Sequence, residues 1–259
     1  MRIARFTLGE DPAYGVVERD GDDLVVAQIG GDPIYQQLAF AGPRYPLEEV
    51  RLLSPVIPRS KVVGIGKNYA DHAAEMGGEA PAEPLMFLVP NTAVSGPGDP
   101  VPMPAASSNI HYEGELAVVI GKMVRNVPPE LALATVFGYT CANDVTARDL
   151  QRSDGQWARA KGFDGSKPLG PWIETELDPA DLRIVTRLDG EVVQDGRTSD
   201  MIHDVARLIS HASQTFTLLP GDVILTGTPA GVGQVQEGQR VEVEVEGIGT
   251  LSNPFVRSR

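Results

Sequence analysis

Apolar and polar residues alternate along this chain in short, strand-length bursts separated by glycine- and proline-rich turns. Tyr14 to Glu18 and Leu24 to Ile29 read as strands on either side of Arg19-Asp20-Gly21-Asp22-Asp23, so the N-terminus opens on a β-hairpin. Lys61 to Ile65 is a short strand, and Asn68 is placed to cap a short helix that Gly77 and Gly78 end. Pro128-Pro129-Glu130 starts a helix to about Val136, and Phe137 to Ala142 is a strand. Arg183 to Leu188 and Glu191 to Gln194 flank Asp189-Gly190, a two-residue hairpin signal. Residues 199–214 place Met201, Val205, Leu208 and Ala212 on one side, with Ile202 and Ile209 beside them. That spacing predicts an amphipathic helix carrying His203 and His211. L-L-P-G-D-V-I-L is a buried strand entering a glycine-rich turn. V-E-V-E-V-E and T-L-S-N-P-F-V form a terminal hairpin with Glu242, Glu244 and Glu246 on its wet face. The two prolines of S-P-V-I-P-R-S divide the chain into a small β-rich unit, residues 1–58, and a main unit, residues 59–259.

One stretch breaks the ordinary pattern. I-H-Y-E-G-E-L-A-V-V-I-G, from Ile110 to Gly121, reads as a strand that is apolar on both faces toward its C-terminal end. Glu113 and Glu115 then project from the same side, roughly 7 Å apart at their Cα atoms. Two carboxylates leaving water together are costly unless one is protonated or a cation lies between them. Either a divalent metal sits there, or both side chains lie beyond the core in solvent. Asp144, where a strand gives way to a turn, is a third acidic candidate, as a ligand or as a helix N-cap. Three carboxylates form a hard oxygen set suited to Mg²⁺ or Mn²⁺.

Composition narrows the partners. The 259 residues carry a net charge of -13, which argues against nucleic acid or an anionic membrane as a partner. The single cysteine, Cys141, excludes an intramolecular disulfide and, within F-G-Y-T-C-A, reads as a buried structural thiol rather than a nucleophile. No apolar core of signal-peptide length and no membrane-spanning run is present, so a cytoplasmic location is expected.

Other polar residues carry chemistry only in combination. His72 and Glu75 are three apart on the short helix, so the carboxylate can orient the ring and raise its basicity. Taken alone they are an ordinary surface pair, but the glycines and prolines around them suit a mobile lid. Lys161 and Lys167, taken singly, read as solvated charges, and His203 and His211 as structural or exposed side chains. Gly227, Gly231 and Gly233 leave backbone N–H groups free to face an anion, with the Thr228 hydroxyl beside them. The glycines before Lys67 lack phosphate-loop spacing, and those of the later turn lack dinucleotide-fold spacing.

Taken together, V-G-I-G-K-N-Y-A-D-H-A-A-E-M, H-Y-E-G-E-L-A-V-V-I-G, G-Y-T-C-A-N-D-V-T-A-R-D-L-Q, A-K-G-F-D and L-T-G-T-P-A-G-V-G resemble the fumarylacetoacetate hydrolase family. The match runs in unbroken order from Lys61 to about Val256. The N-terminal unit is similar to that of a bacterial branch labelled 2-hydroxyhepta-2,4-diene-1,7-dioate isomerase or 5-carboxymethyl-2-oxo-hex-3-ene-1,7-dioate decarboxylase. The resemblance implies a β-rich α+β fold, a mixed β-sandwich roll with peripheral helices, and a homodimer. It implies Glu113, Glu115 and Asp144 as ligands of Mg²⁺ or Mn²⁺, His72 and Glu75 as a lid dyad handling water and protons, and Lys161 as the lysine beside the reacting oxygen. Arg148, Gln151 and Thr228 fall where relatives line the substrate. The implied activity is metal-dependent chemistry of 2-oxo acids through a stabilised enolate: hydrolysis of acylpyruvates, oxaloacetate decarboxylation, or isomerisation in aromatic-acid breakdown. A non-catalytic oxo-acid binder is the alternative of another class. One departure stands out: before Pro168, where relatives carry Cys, Ala or Gly, this chain has Lys167. That cation either favours a dianionic substrate or points outward.

Overall fold

The structure is a computed structural model that describes residues 1–9, 11–75, 77 and 81–257. The N-terminal bursts form β1 (Arg2–Thr7), β2 (Ala13–Asp20), β3 (Asp23–Ile29), β4 (Phe40–Pro46) and β5 (Arg51–Leu53). Next come β6 (Val62–Gly66), α1 (Ala70–Glu75), β7 (Leu85–Val89), β8 (Val94–Ser95), β9 (Val101–Met103), β10 (Ile110–Tyr112) and β11 (Gly114–Ile120). The middle of the chain gives α2 (Pro129–Ala132), β12 (Val136–Asn143), β13 (Thr146–Ala147), α3 (Arg148–Asp154), α4 (Ala158–Lys161) and β14 (Lys167–Glu174). It closes with β15 (Arg183–Leu188), β16 (Glu191–Arg197), α5 (Val205–Thr215), β17 (Val223–Leu225), β18 (Gly233–Gln234), β19 (Arg240–Val245) and β20 (Gly249–Arg257). None of the described helices is long and apolar enough to cross a membrane.

These strands build a β-rich α+β fold of three sheets. A twelve-stranded mixed sheet runs β4-β3-β2-β1-β14-β12-β11-β17-β6-β7, with β5 on β1 and β8 on β14; a five-stranded sheet runs β16-β15-β19-β20-β9. A three-stranded sheet, β13-β10-β18, completes the set. The N-terminal strands join the large sheet where Arg2 and Ile3 of β1 pair with Glu174 and Ile173 of β14.

The alternation of β11 places it between two apolar layers. Leu116, Val118 and Ile120 join the core that contains Ile184, Val241, Val243 and Val245 of the five-stranded sheet. Ala117 and Val119 join a second core with Val62, Val223 and Leu225. All seven residues of the strand are buried, as its two apolar faces demand.

Local hydrogen bonding changes four of the expected elements. The expected strand from Ile110 to Gly121 is two strands, because β10 pairs with β13 and β18 while β11 pairs with β12 and β17. Glu113 is the joint between them. The expected helix over 199–214 begins only at Val205, where the Asp204 carboxylate accepts the Arg207 N–H at 2.8 Å. His203 therefore precedes the helix, whereas His211 lies on it. Asn68 does not cap α1: its amide donates to the carbonyls of His203 and Thr226 at 3.0 and 2.8 Å and accepts the His203 N–H at 2.9 Å. Gly77 bonds back to Ala74, and Gly78, the other expected terminator, lies outside the described residues. The helix expected to reach Val136 is one α-turn, α2, followed by a 3-10 turn at Leu133–Thr135.

All three expected hairpins are present. Gly21 takes φ +64° between paired Asp20 and Asp23, while Asp189 and Gly190 take +50° and +88°. In the terminal hairpin Glu242 and Glu244 are half-buried and Glu246 exposed, against buried Val241, Val243 and Val245.

Gly114 marks the tightest approach of the sheets beside the acidic joint. A Cβ there would collide with Thr186 Oγ1 and press on Val243. Gly114→Ala should lower stability by about 1–3 kcal/mol, read as a lower midpoint in thermal or urea unfolding. An unchanged midpoint would contradict the packing described.

Candidate metal centre and active site

Glu113 owes its place to the break between β10 and β11. Its N–H donates to Asn143 Oδ1 and its carbonyl accepts the Asp144 N–H, both at 2.9 Å, so the end of β12 is fastened against the joint. Glu115, two residues on, receives the Gly227 N–H at 2.8 Å. One oxygen from each of Glu113, Glu115 and Asp144 lies within 4.8 Å of the others, and all three residues are buried. The structure thus brings together the three acidic residues singled out in the sequence and takes them out of solvent.

Three cations are buried against them. Lys161, the last residue of α4, spends its three N–H groups on Glu113, Asp144 and Thr146, each at 2.7 Å. Arg148, the first residue of α3, joins Glu113 to Gln151: Nη2 donates to Glu113 Oε1, and Nη1 to Gln151 Oε1 at 2.9 Å. Lys167 is fully buried, so the outward alternative fails: its ammonium bonds the Val145 and Ser166 carbonyls and lies 2.8 Å from Asp144 Oδ1. It stands behind Asp144 and is not among the residues lining the cavity in front.

The charges are unequal in effect. Burial alone would raise the Glu113 carboxyl, but Arg148 and Lys161 outweigh it and hold Glu113 well below the usual range. For Glu115 burial and the neighbouring Asp144 and Glu113 charges act together, pushing its carboxyl well above the usual range. Burial would lower the Lys161 ammonium, yet Asp144 and Glu113 hold it above its ordinary value. Lys167, with burial dominant over Asp144, is lowered. Among the described residues, Asp144 Oδ1 has the Lys167 ammonium at 2.8 Å as its one close partner. Three hard oxygen donors within reach of one another, one of them, Glu115, lacking a cationic partner among the described residues, suit a divalent cation.

A cavity of about 210 Å³ opens in front of the cluster, lined among others by His72, Glu113, Glu115, Arg148, Gln151, Lys161 and Thr228. His72 is buried, and its Nδ1 lies 3.3 Å from Glu75 Oε2. Two of the three glycine N–H groups expected to face an anion do so, and the anions are the protein's own: Gly227 serves Glu115 and Gly231 approaches Glu75 Oε2 at 3.3 Å, while Gly233 lies in β18 opposite Tyr112. The Thr228 hydroxyl donates to the Gly114 carbonyl and accepts from Gln194, both at 2.8 Å, so its proton is committed within the protein. Cys141 is buried and its thiol is pushed up to about 12 by burial, as a structural residue's would be.

Several residues of this site were not anticipated. Asn143 and Thr146 sit in motifs that were read, but their side chains gain a role only through partners on β11 and α4. Gln194 reaches across from β16, and Lys67, Arg152 and Trp157 line the cavity. A positive φ at Lys67 leaves no mark in the sequence.

Comparison with known proteins agrees with this geometry. Residues 61–256 match the family described as Fumarylacetoacetate (FAA) hydrolase C-terminal, and residues 1–55 match one described as Rv2993c-like, N-terminal. The chain belongs to the fumarylacetoacetate hydrolase family. Protein Rv2993c of Mycobacterium tuberculosis is 50% identical over 263 residues, 99% of this chain and 98% of that protein. Oxaloacetate tautomerase YisK of Bacillus subtilis is 43% identical, over 81% of this chain and 74% of its own length. Among solved structures, 5-carboxymethyl-2-hydroxymuconate delta-isomerase from Mycobacterium smegmatis superposes with a TM-score of 0.92 at 49% identity, over the whole of both chains. Fumarylpyruvate hydrolase from Pseudomonas aeruginosa, solved in complex with Mn²⁺ and pyruvate, gives 0.73 at 34% identity, over 84% of this chain and 93% of its own.

The raised Glu115 carboxyl fixes the sign of a pH effect. The metal-free protein keeps that proton at a pH where an ordinary carboxylate has lost it, and an incoming cation must displace it. Mn²⁺ affinity should therefore rise with pH, with release of about one proton per ion where Glu115 is still protonated. Calorimetry in buffers of different ionisation enthalpy measures both. Glu115→Gln should weaken the ion by about 100-fold or more, and an affinity independent of pH would contradict the assignment.

Proposed function

We propose that this protein is a divalent-metal-dependent enzyme that acts on 2-oxo acids through their enolates. The observation that carries the reading is a cluster of three buried carboxylates bridged by Lys161, two of which, Glu113 and Glu115, line a cavity that His72 and Lys161 also line. Glu113, Glu115 and Asp144 would hold Mg²⁺ or Mn²⁺, and the ion, when bound, supplies Lewis acidity to the keto group of the oxo acid.

The chain's own residues divide the remaining work. Lys161 places a buried positive charge where the keto oxygen gains negative charge, a fixed stabilisation that needs no reorganisation. Glu75 engages Nδ1 of His72, which leaves Nε2 as the nitrogen free to take or return a proton. Arg148 holds Glu113 and Gln151 in place through its two terminal nitrogens. Burial of His72, Arg148, Lys161 and the three carboxylates keeps bulk water away from them except at the cavity face.

Relocation of a proton next to the keto group, tautomerisation or isomerisation, is the simplest reaction these groups perform. It needs only the enolate and a base that returns its proton. The His72–Glu75 pair favours a second reading, hydrolysis of acylpyruvates. There His72 deprotonates a water that attacks the distal carbonyl, the carbon–carbon bond breaks, and its electron pair leaves as the enolate of pyruvate. Oxaloacetate decarboxylation forms the same enolate with loss of CO₂ and needs no base.

The three reactions separate the roles. His72→Ala should cost about 10²- to 10⁴-fold in hydrolysis and proton relocation, while oxaloacetate decarboxylation keeps most of its rate. Glu115→Ala should abolish all three. Steady-state assays that follow each substrate by ultraviolet absorbance read the outcome. Equal losses in every reaction would refute the His72 role, and full activity in excess chelator would refute the metal.

A further inference from the structure

Lys167 is a charge that the reaction outlined above does not use. It stands fully buried at the start of β14, behind Asp144, and does not line the cavity. A lysine taken out of water needs acceptors for its N–H groups. Those around Lys167 are the Val145 carbonyl at 2.9 Å, the Ser166 carbonyl at 3.1 Å, the Ser166 hydroxyl at 3.2 Å and Asp144 Oδ1 at 2.8 Å. The Ser166 hydroxyl donates its own proton to the Lys161 carbonyl at 2.9 Å, so toward Lys167 it only accepts. None of these groups offers a donor to a neutral amine, and the geometry is that of an ammonium.

A buried ammonium at this place alters the charge of the whole cluster. Arg148 and Lys161 engage the two oxygens of Glu113, and Lys161 and Lys167 engage the two of Asp144. Glu115 receives a backbone N–H alone among the described residues. Once Glu115 is ionised to take an ion, three carboxylates face three buried cations, so a divalent ion brings positive charge that the cluster does not neutralise. Arg148 and Lys161 line the cavity and can touch what binds there, whereas Lys167 reaches the centre only through Asp144.

Resting on the reading of Glu113, Glu115 and Asp144 as a metal centre, we propose that Lys167 is a positioning residue that acts through Asp144 to weaken the hold on a bare divalent ion and to strengthen the hold on an anion bound beside that ion. A carboxylate placed behind a metal ligand makes the ligand more basic and tightens the ion. An ammonium in the same place has the opposite effect, and with water excluded its repulsion of the ion is little screened. The same field attracts an anion. The centre is then held most tightly when ion and chelating anion are present together, and an ion alone is held loosely.

Two calorimetric titrations test this on wild type, Lys167→Met and Lys167→Gln. Mn²⁺ is titrated into metal-free protein, and oxalate into protein saturated with Mn²⁺, against a blank for chelation by the free ion. Both neutral variants should bind Mn²⁺ about ten- to a hundredfold more tightly than wild type, the size of an outer-shell effect. Both should bind oxalate at the loaded centre more weakly, by a factor of the same order. Lys167→Gln keeps a donor for the Val145 and Ser166 carbonyls, so agreement between the variants separates lost charge from lost hydrogen bonds. The opposite signs are the mark of the proposed role, because a residue that merely held Asp144 in place would weaken both ligands when removed. If Lys167→Met does not fold, the same two signs are read from Lys167→Gln. Both affinities falling together, or neither changing, would overturn the proposal and leave the metal reading intact. If Mn²⁺ does not bind wild type, or binds Glu115→Gln equally well, the metal reading fails and the proposal with it.

Discussion

Like charges confined within reach of a single ion repel strongly once water is excluded, and Glu113, Glu115 and Asp144 are confined in this way. The protein meets that repulsion by burying Arg148, Lys161 and Lys167 against two of the three groups, Glu113 and Asp144. Neutralisation is complete for Glu113 and incomplete for Glu115, which receives only a backbone N–H from Gly227 and is driven toward its protonated form. A divalent ion would relieve that remaining imbalance. The same shortage of positive charge at Glu115 would favour the metal-loaded protein over the metal-free one.

The fold is arranged to maintain this concentration of charge. Glu113 sits where one strand ends in a small sheet and the next begins in a large one, and Asp144 follows the strand that pairs with it. Gly114, between the two glutamates, permits the five-stranded sheet to close over the joint, with Gln194 reaching across to its N–H. The carboxylates are thus fixed by backbone pairing on several strands; Arg148 and Lys161 arrive from the short helices α3 and α4, and Lys167 from the start of β14. The cavity is lined by Glu113, Glu115, Arg148 and Lys161 together, whereas Lys167 does not line it.

Much of this arrangement was legible in local patterns. The two-residue spacing of Glu113 and Glu115 predicts their shared environment, and that survives the unexpected break in the strand because both remain in the cluster. Spacing on α1 likewise predicts the His72–Glu75 contact. The lysines were not legible. Lys161 and Lys167 read singly as solvated charges, yet both are buried, because their partners lie on strands that no local periodicity connects to them. Asn68 illustrates the same limit. It has the composition of a helix cap, but its partners, 135 and 158 residues away, outbid the neighbouring helix. The helix expected from residue 199 failed for a local reason that a closer reading of Asp204 as an N-cap would have caught.

The central claim is that Glu113 at the joint of two strands, Glu115 on β11 and Asp144 just past the end of β12 grip one hard cation. Crystals grown with Mn²⁺ and oxalate, examined by anomalous scattering at the manganese edge, test it most directly. The account predicts one strong peak bonded to oxygens of Glu113, Glu115 and Asp144, with oxalate completing the shell. No peak there, or a peak held by other residues with these carboxylates still paired to Lys161 and Lys167, would contradict it.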